Sequence, residues 1–391
     1  MTIEQAEIKM RDVVRSRSPR LRDFVTAIRT LVALRRSTSH GIILRMKAHS
    51  STLSRTISKW AIATAAAFLL FHVARIEVYA GKKPTDGVQI LQLSDRLRIA
   101  INGALFTEYF YTNVPRPFCY PLNSPEGLGM TRNWPAKDVP NEEHDHPHHH
   151  SFWLGHGSVN GHDFWREIKD SGTIVHRGFD EIKSGKDFGV IKARHDWVAA
   201  DGKVICTDEQ TLRIFAGKDQ QRWLDFEITL HASNGDIKLG STKEGMMAVR
   251  LAETMRLKPN KDNVGKPTGH IVTSEGIRDE ATWGKRAAWC DYSGPVDGKI
   301  LGIAIFDHPQ NPRYPTWWMV RDYGLFAANP FGQHEFENTP DKTDGDFAIA
   351  SGKDVTFRYR LYFHEGDEKQ GKVAKRYGEF LKSISAKHSQ K

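Results

Sequence analysis

The chain has 391 residues and a formal net charge of +9, enough length for two domains or one large all-β domain. Residues 1–80 carry 14 Lys and Arg against 5 Asp and Glu, while the remaining 311 carry 42 of each sign. The excess is confined to the N-terminal region, and the body lacks the basic footprint that nucleic-acid binding requires.

Residues 1–45 are Arg-rich, with neither strand alternation nor turn chemistry, and are expected to lie outside the fold. Residues 46–80 have the three-part design of a secretory signal: Lys47, Arg55 and Lys59, an apolar run of 14 residues from 60 to 73, then Val78-Tyr79-Ala80. That run is short of the roughly 20 residues that span a bilayer. The expectation is export to the periplasm or beyond, with translation from Met46 and a mature chain from about Gly81; the alternative is an uncleaved N-terminal membrane anchor. Cys119, Cys206 and Cys290 match no zinc or redox spacing and are expected as buried, small, apolar side chains.

From Val88 onward the sequence alternates strands with tight turns. In "WLDFEITLHA", Leu224, Phe226, Ile228 and Leu230 fall on one face, and Asp225, Glu227 and Thr229 on the other. "FGVIKARHDWVAA" and "KVICTDEQTLRIFA" are similar, and Asp201-Gly202 and Asn234-Gly235 are hairpin signals between such runs. Further strands are expected at 300–306, 316–320, 324–328 and 355–364. Val373, Tyr377, Phe380, Leu381 and Ile384 recur at helical spacing and predict a C-terminal helix on the outside of a sheet. Residues 85–385 are expected to form a single all-β domain, a large antiparallel two-layer β-sandwich with that one helix.

Seven of the 18 histidines fall within "EEHDHPHHHSFWLGHGSVNGHDFW", residues 142–165. Prolines and glycines exclude one long helix or central strand here and predict a long loop entering a short strand at "HSFWLG". Residues two apart on an extended chain face the same way, so His144 and His146, with Glu143 or Asp145, could hold Fe(II), and three histidines could hold Zn²⁺. The preferred reading needs no cofactor. Imidazole titrates near neutrality and serves acid–base chemistry, and the neighbouring Trp153 and Trp165 offer flat faces to the C–H bonds of a sugar ring. A second cluster, "HPQNPRYPTWWMVRDYGLFAANPFGQHEF", adds His308, Trp317, Arg321, Asn329 and His334. In "STKEGMMAVRLAETMRL", Glu244 sits at a strand entry as a candidate base, and Arg250 as a candidate substrate-orienting group.

The stretches "PLNSPEGLGMTRNWP", the histidine segment, "TKEGMMAVRLAE", "WCDYSG", the second aromatic cluster and "FRYRLYFHEGD" resemble the PmoA-like proteins, exported bacterial proteins labelled methane oxygenase PmoA, over about residues 87–385. The methane monooxygenase subunit of that name spans the membrane several times, which one 14-residue apolar run cannot do. The strand count and the placing of His, Glu and Arg are also similar to the galactose-mutarotase-like supersandwich. That resemblance implies a histidine acid, from among His148, His149, His156 and His308, and Glu244 as base, working on a sugar. The expectation is an exported carbohydrate-active protein, of epimerase, lyase or hydrolase type, acting on a small-molecule or oligosaccharide substrate in a His/Trp/Arg-lined cleft. The alternatives are a metal-dependent oxidoreductase using His144 and His146, and a non-catalytic carbohydrate-binding protein.

Overall fold

The computed structural model describes residues 86–217, 221–266 and 268–388, with side chains to 385. All of them lie in the second of the two units into which the chain divides, Lys83–Lys391. The expected N-terminal extension and the signal or anchor segment lie outside the described residues. No helix among the described residues is long and apolar enough to cross a membrane.

Two eight-stranded antiparallel sheets face each other. The first runs, in spatial order, β1 (Val88–Gln92), β2 (Arg96–Ile101), β3 (Ala104–Phe110), β4 (Phe118–Tyr120), β5 (Phe152–His156), β11 (Gly245–Arg250), β16 (Leu325–Asn329) and β15 (Trp317–Val320). The second runs β12 (His270–Thr273), β13 (Trp289–Val296), β14 (Lys299–Asp307), β18 (Asp354–Glu365), β9 (Arg222–His231), β8 (Val204–Ala216), β7 (Phe188–Val198) and β6 (Thr173–Lys183). β10 (Ile237–Leu239) and β17 (Phe347–Ile349) make a small separate pair. The expected two-layer β-sandwich is the fold observed.

Alternation dictates how the layers meet. On β9 the four predicted apolar residues are buried, while Asp225, Glu227 and Thr229 stay half-exposed. Across the ladder Arg360 pairs with Asp225 and Arg358 with Glu227. Phe106, Leu154, Met247, Val249, Trp318 and Phe326 from the first sheet share one core with Leu212, Leu224, Ile228, Ile303, Phe357 and Leu361 from the second. All three cysteines are buried. The C-terminal helix, Val373–His388, lays Val373, Tyr377 and Phe380 over Trp289, Phe306 and Tyr362 on the outside of the second sheet, as its spacing predicts.

The outer face of the first sheet positions the site. One row crosses four strands: Trp153 on β5, Ala248 on β11, Ala327 on β16 and Met319 on β15. Two alanines between a tryptophan and a methionine leave this part of the face low, with Phe118, Trp165 and Leu325 packed around it.

Candidate functional site

The histidine loop is shaped by a buried arginine. The Arg132 guanidinium donates to the backbone carbonyls of Trp134, Glu143, His146 and His149 at 3.0–3.4 Å, and to the carboxylate of Asp145. Asp145 also accepts from Arg250 at 3.0 Å and from His146 Nδ1 at 2.6 Å. Burial works to raise the Asp145 pKa, but the hydrogen bond to His146 and the charges of Arg250 and Arg132 outweigh it and hold the carboxyl well below the usual range. The loop is thus folded around one carboxylate and two guanidiniums, and no local propensity is needed.

Anchored this way, the loop presents its rings in a stack. His146 lies on His149 with centroids 4.5 Å apart and planes 10° apart, and His149 lies 5.3 Å from Trp153 beneath it. Tyr323 stacks on His146 at 5.2 Å, with the Arg250 guanidinium over its ring at 4.7 Å. His149 is 1% exposed. Burial, reinforced by Arg250 and the neighbouring imidazoles, pushes its pKa well below the ordinary value. Burial and the charge of Arg116 bring His148 down to about 4.

His146, His148 and His149 line a hollow of about 420 Å³ together with Arg166, Lys243, Glu244, Trp283, Met319, Arg321 and Tyr323. The volume lies within the roughly 300–1,000 Å³ usual for small-molecule sites. Glu244 enters it from the turn before β11. Asn329 pins that turn: its side-chain amide donates to Thr242 O at 2.9 Å and Lys243 O at 2.8 Å, while its oxygen accepts from Phe331 N. Gly157 N donates to Glu244 O at 2.7 Å. Burial raises the Glu244 pKa, and the nearby positive charges of Lys243 and Arg166 only partly offset it. Arg321 follows β15 at the start of a tight turn closed by Gly324 at φ +91, and it stacks over Trp283 at 4.3 Å.

The histidine loop, the Glu244 turn and the segment after β15 therefore converge on one hollow. Other candidates lie elsewhere. His156 is a correction: β5 alternation puts Trp153 on the outer face and His156 on the core face, fully buried against Phe331, its Nε2–H donating to Gly240 O at 2.9 Å. His308 is another. It packs near Phe380 beside a hollow of about 470 Å³ on the outside of the second sheet, where Arg358 and Arg360 are already paired with Glu227 and Asp225. His334 sits on a short helix, Gln333–Glu337, outside the lining. Trp317 is buried, its indole N–H donating to Glu337 at 2.8 Å. Trp153 and Trp165 are buried beneath His149 and do not line the hollow; Asn329 and Arg250 act from behind it.

The two proposed metal ligands are parted. His144 stacks on Trp134 at 4.1 Å and bonds Asp138, whereas His146 is held by Asp145 in the ring stack. Among the described residues no three His, Cys, Asp or Glu side chains gather to hold a metal ion. These residues do not fit an Fe or Zn centre built on His144 and His146. Arg166, Lys243, Trp283 and Met319 line the hollow although the sequence pattern did not single them out, whereas Tyr323 belongs to the second aromatic cluster. Lys243 and Arg166 adjoin residues it did single out, but Trp283 stands in a segment with no local signal.

Residues 96–378 match the Family of unknown function (DUF6807). No curated protein matches the chain. Among solved structures it is similar to a glycoside hydrolase family 97 enzyme from Pseudoalteromonas sp. strain K8 in complex with acarbose, at 10% identity and a TM-score of 0.29, over 70% of this chain and 34% of that one. It is also similar to a GalM/aldose epimerase homologue from C. elegans, at 7% identity and 0.27, over 72% and 100%. A third similar structure is a 4-alpha-glucanotransferase from Thermococcus litoralis, at 10% identity and 0.25, over 72% and 40%. The chain spans about a third of the glycoside hydrolase's length. At these scores the likenesses add nothing to what the two sheets themselves show.

Proposed function

The chain belongs to the DUF6807 family of unknown function, and for it we propose binding of a sugar in the hollow over the first sheet and acid–base chemistry on that sugar. The observation that carries the reading is Glu244. Its carboxylate makes no hydrogen bond or ion pair among the described residues, it is desolvated enough to raise its pKa, and it shares the hollow with three imidazoles. A carboxylate kept partly dry with no partner of its own is suited to take a proton from a substrate and return it.

The roles differ from the histidine-acid expectation. Burial and neighbouring arginines keep His148 and His149 neutral at pH 7, so neither supplies an imidazolium. In this reading Glu244 transfers the proton, and the Nε2–H of His149 steadies negative charge developing on a sugar oxygen. Tyr323 and Trp283 provide aromatic surface, and Arg321 and Lys243 provide donors for ring substituents.

The test is a panel of monosaccharides and oligosaccharides incubated with the protein in D₂O and followed by NMR, which reads deuterium uptake at carbon, anomer exchange, elimination and hydrolysis together. Conversion of at least one sugar by the wild type is expected. Its loss in Glu244→Gln, with sugar binding retained, supports the reading. Undiminished turnover in Glu244→Gln overturns the assignment of the base. A wild type that binds sugars but converts none reduces the function to binding.

A further inference from the structure

The charged residues lining the hollow are unbalanced. Arg166, Lys243 and Arg321 are cationic, and Glu244 is the anionic residue among them. Arg166 is neutralised by Asp163 at 2.5 Å. Lys243 and Arg321 enter no ion pair among the described residues. The neighbouring anion, Glu244, offsets at most one of these two charges when it is ionised as the base. Behind them Arg132 and Arg250 share Asp145, so no spare negative charge reaches the hollow from below.

Arg321 is also held in a particular way. Its guanidinium lies over Trp283 at 4.3 Å and within 5.7 Å of the Tyr323 ring centre. Stacking occupies the face of the guanidinium, and Tyr323 takes one hydrogen bond from its edge, which leaves the remaining edge N–H donors for another group. A planar fork presented edge-on matches a planar carboxylate through two parallel hydrogen bonds. Two cations facing one hollow, neither in an ion pair among the described residues, suit a ligand that brings negative charge.

We propose that the sugar bound here carries a carboxylate, as in a hexuronate, which is gripped by Arg321 while Lys243 supplies a second positive charge. This deepens the sugar-site reading and rests on it. Arg321 sets specificity rather than chemistry, because its role is to choose the substituent and orient the ring toward Glu244 and His149.

The experiment is titration of the full chain by calorimetry with D-glucuronate and D-galacturonate, with D-glucose and D-galactose as the neutral counterparts, and with glucose 6-phosphate as a phosphate-bearing probe. The expected result is that at least one uronate binds about tenfold or more tightly than its neutral counterpart, with an affinity that falls as salt is raised. Arg321→Gln removes that preference, and Lys243→Gln, on a half-exposed turn outside the core, weakens uronate binding while leaving the thermal melt unchanged. Equal binding of neutral and acidic sugars overturns the proposal and leaves the sugar-site reading standing. Tighter binding of the phosphosugar, or uronate binding unchanged in both variants, overturns the carboxylate assignment. Binding of no sugar of either kind overturns both.

Discussion

The guanidinium of Arg250 lies 3.1 Å from Nδ1 of His149. A guanidinium only donates, so Nδ1 must be the bare, accepting nitrogen and the proton must sit on Nε2. Arg250 thus selects one tautomer, and together with burial its charge opposes a second proton. Nitrogen-15 spectra of the imidazoles are expected to show His149 as the Nε2–H form from pH 8 down to pH 5, with no titration in that interval. Replacing Arg250 with Met removes the donor and the charge, and the His149 titration then moves upward. A wild-type His149 that titrates near its ordinary pKa of about 6.5 contradicts this assignment.

If Glu244 is the base, turnover rises with pH as its carboxyl loses a proton. Its pKa is raised by burial, so the acid limb of the rate profile lies above the ordinary glutamate value. Lys243 favours the ionised form. Lys243→Gln is therefore expected to displace that limb to still higher pH, and a displacement downward would remove Glu244 from the role.

Asn329 is placed as a positioning residue, since its amide holds the two carbonyls that precede Glu244. Asn329→Ala leaves those carbonyls unpaired and costs about 1–3 kcal/mol in urea denaturation. The kinetic expectation is a larger fall in kcat than rise in KM. A change in KM alone would show that the turn does not depend on it.

Arg132 has no exposed side-chain surface and holds the histidine loop through four carbonyls and Asp145. Arg132→Met strands those acceptors and leaves Asp145 with only Arg250 and His146. The expected loss is about 3–5 kcal/mol of stability, the usual consequence of removing one partner from a buried charged network. Hydrogen exchange in residues 142–150 should quicken at the same time, and unchanged protection there would separate the loop from this arginine.

His156 bears on stability and not on activity. It is fully buried, its Nε2–H is committed to Gly240 O, its Nδ1 has no partner, and burial lowers its pKa to about 4. The unfolded chain takes up the proton near pH 6.5, before the folded chain can. The resulting loss of stability begins as pH falls through about 6.5 and is complete near 4, at a total of about 3 kcal/mol for this residue. Urea denaturation at pH 7 and pH 4 measures it: His156→Gln should lose less stability over that interval than wild type by about this amount.

Much of this protein is legible along the chain. The period-two pattern of 223–230 and the Asp-Gly and Asn-Gly turns specify strands through local sterics and burial, and the observed strands at 299–307, 317–320, 325–329 and 354–365 follow the expected ones closely. The spacing of Val373, Tyr377 and Phe380 likewise determines a helix and the face it buries. A concentration of imidazoles beside aromatics, and a glutamate at a strand entry, can also be seen without a fold. Which of those imidazoles reaches a ligand cannot. His149 and His156 are equally prominent in sequence, yet His149 is carried by the loop that Arg132 and Asp145 hold above the outer face, whereas β5, paired with β11, turns His156 to the core. Long-range contact decides the remainder. Arg132 becomes the hub of the loop because Asp145 and four carbonyls turn inward to meet it, and Trp283 and Arg321 become neighbours across 38 positions only when their segments stack at the outer face of the first sheet.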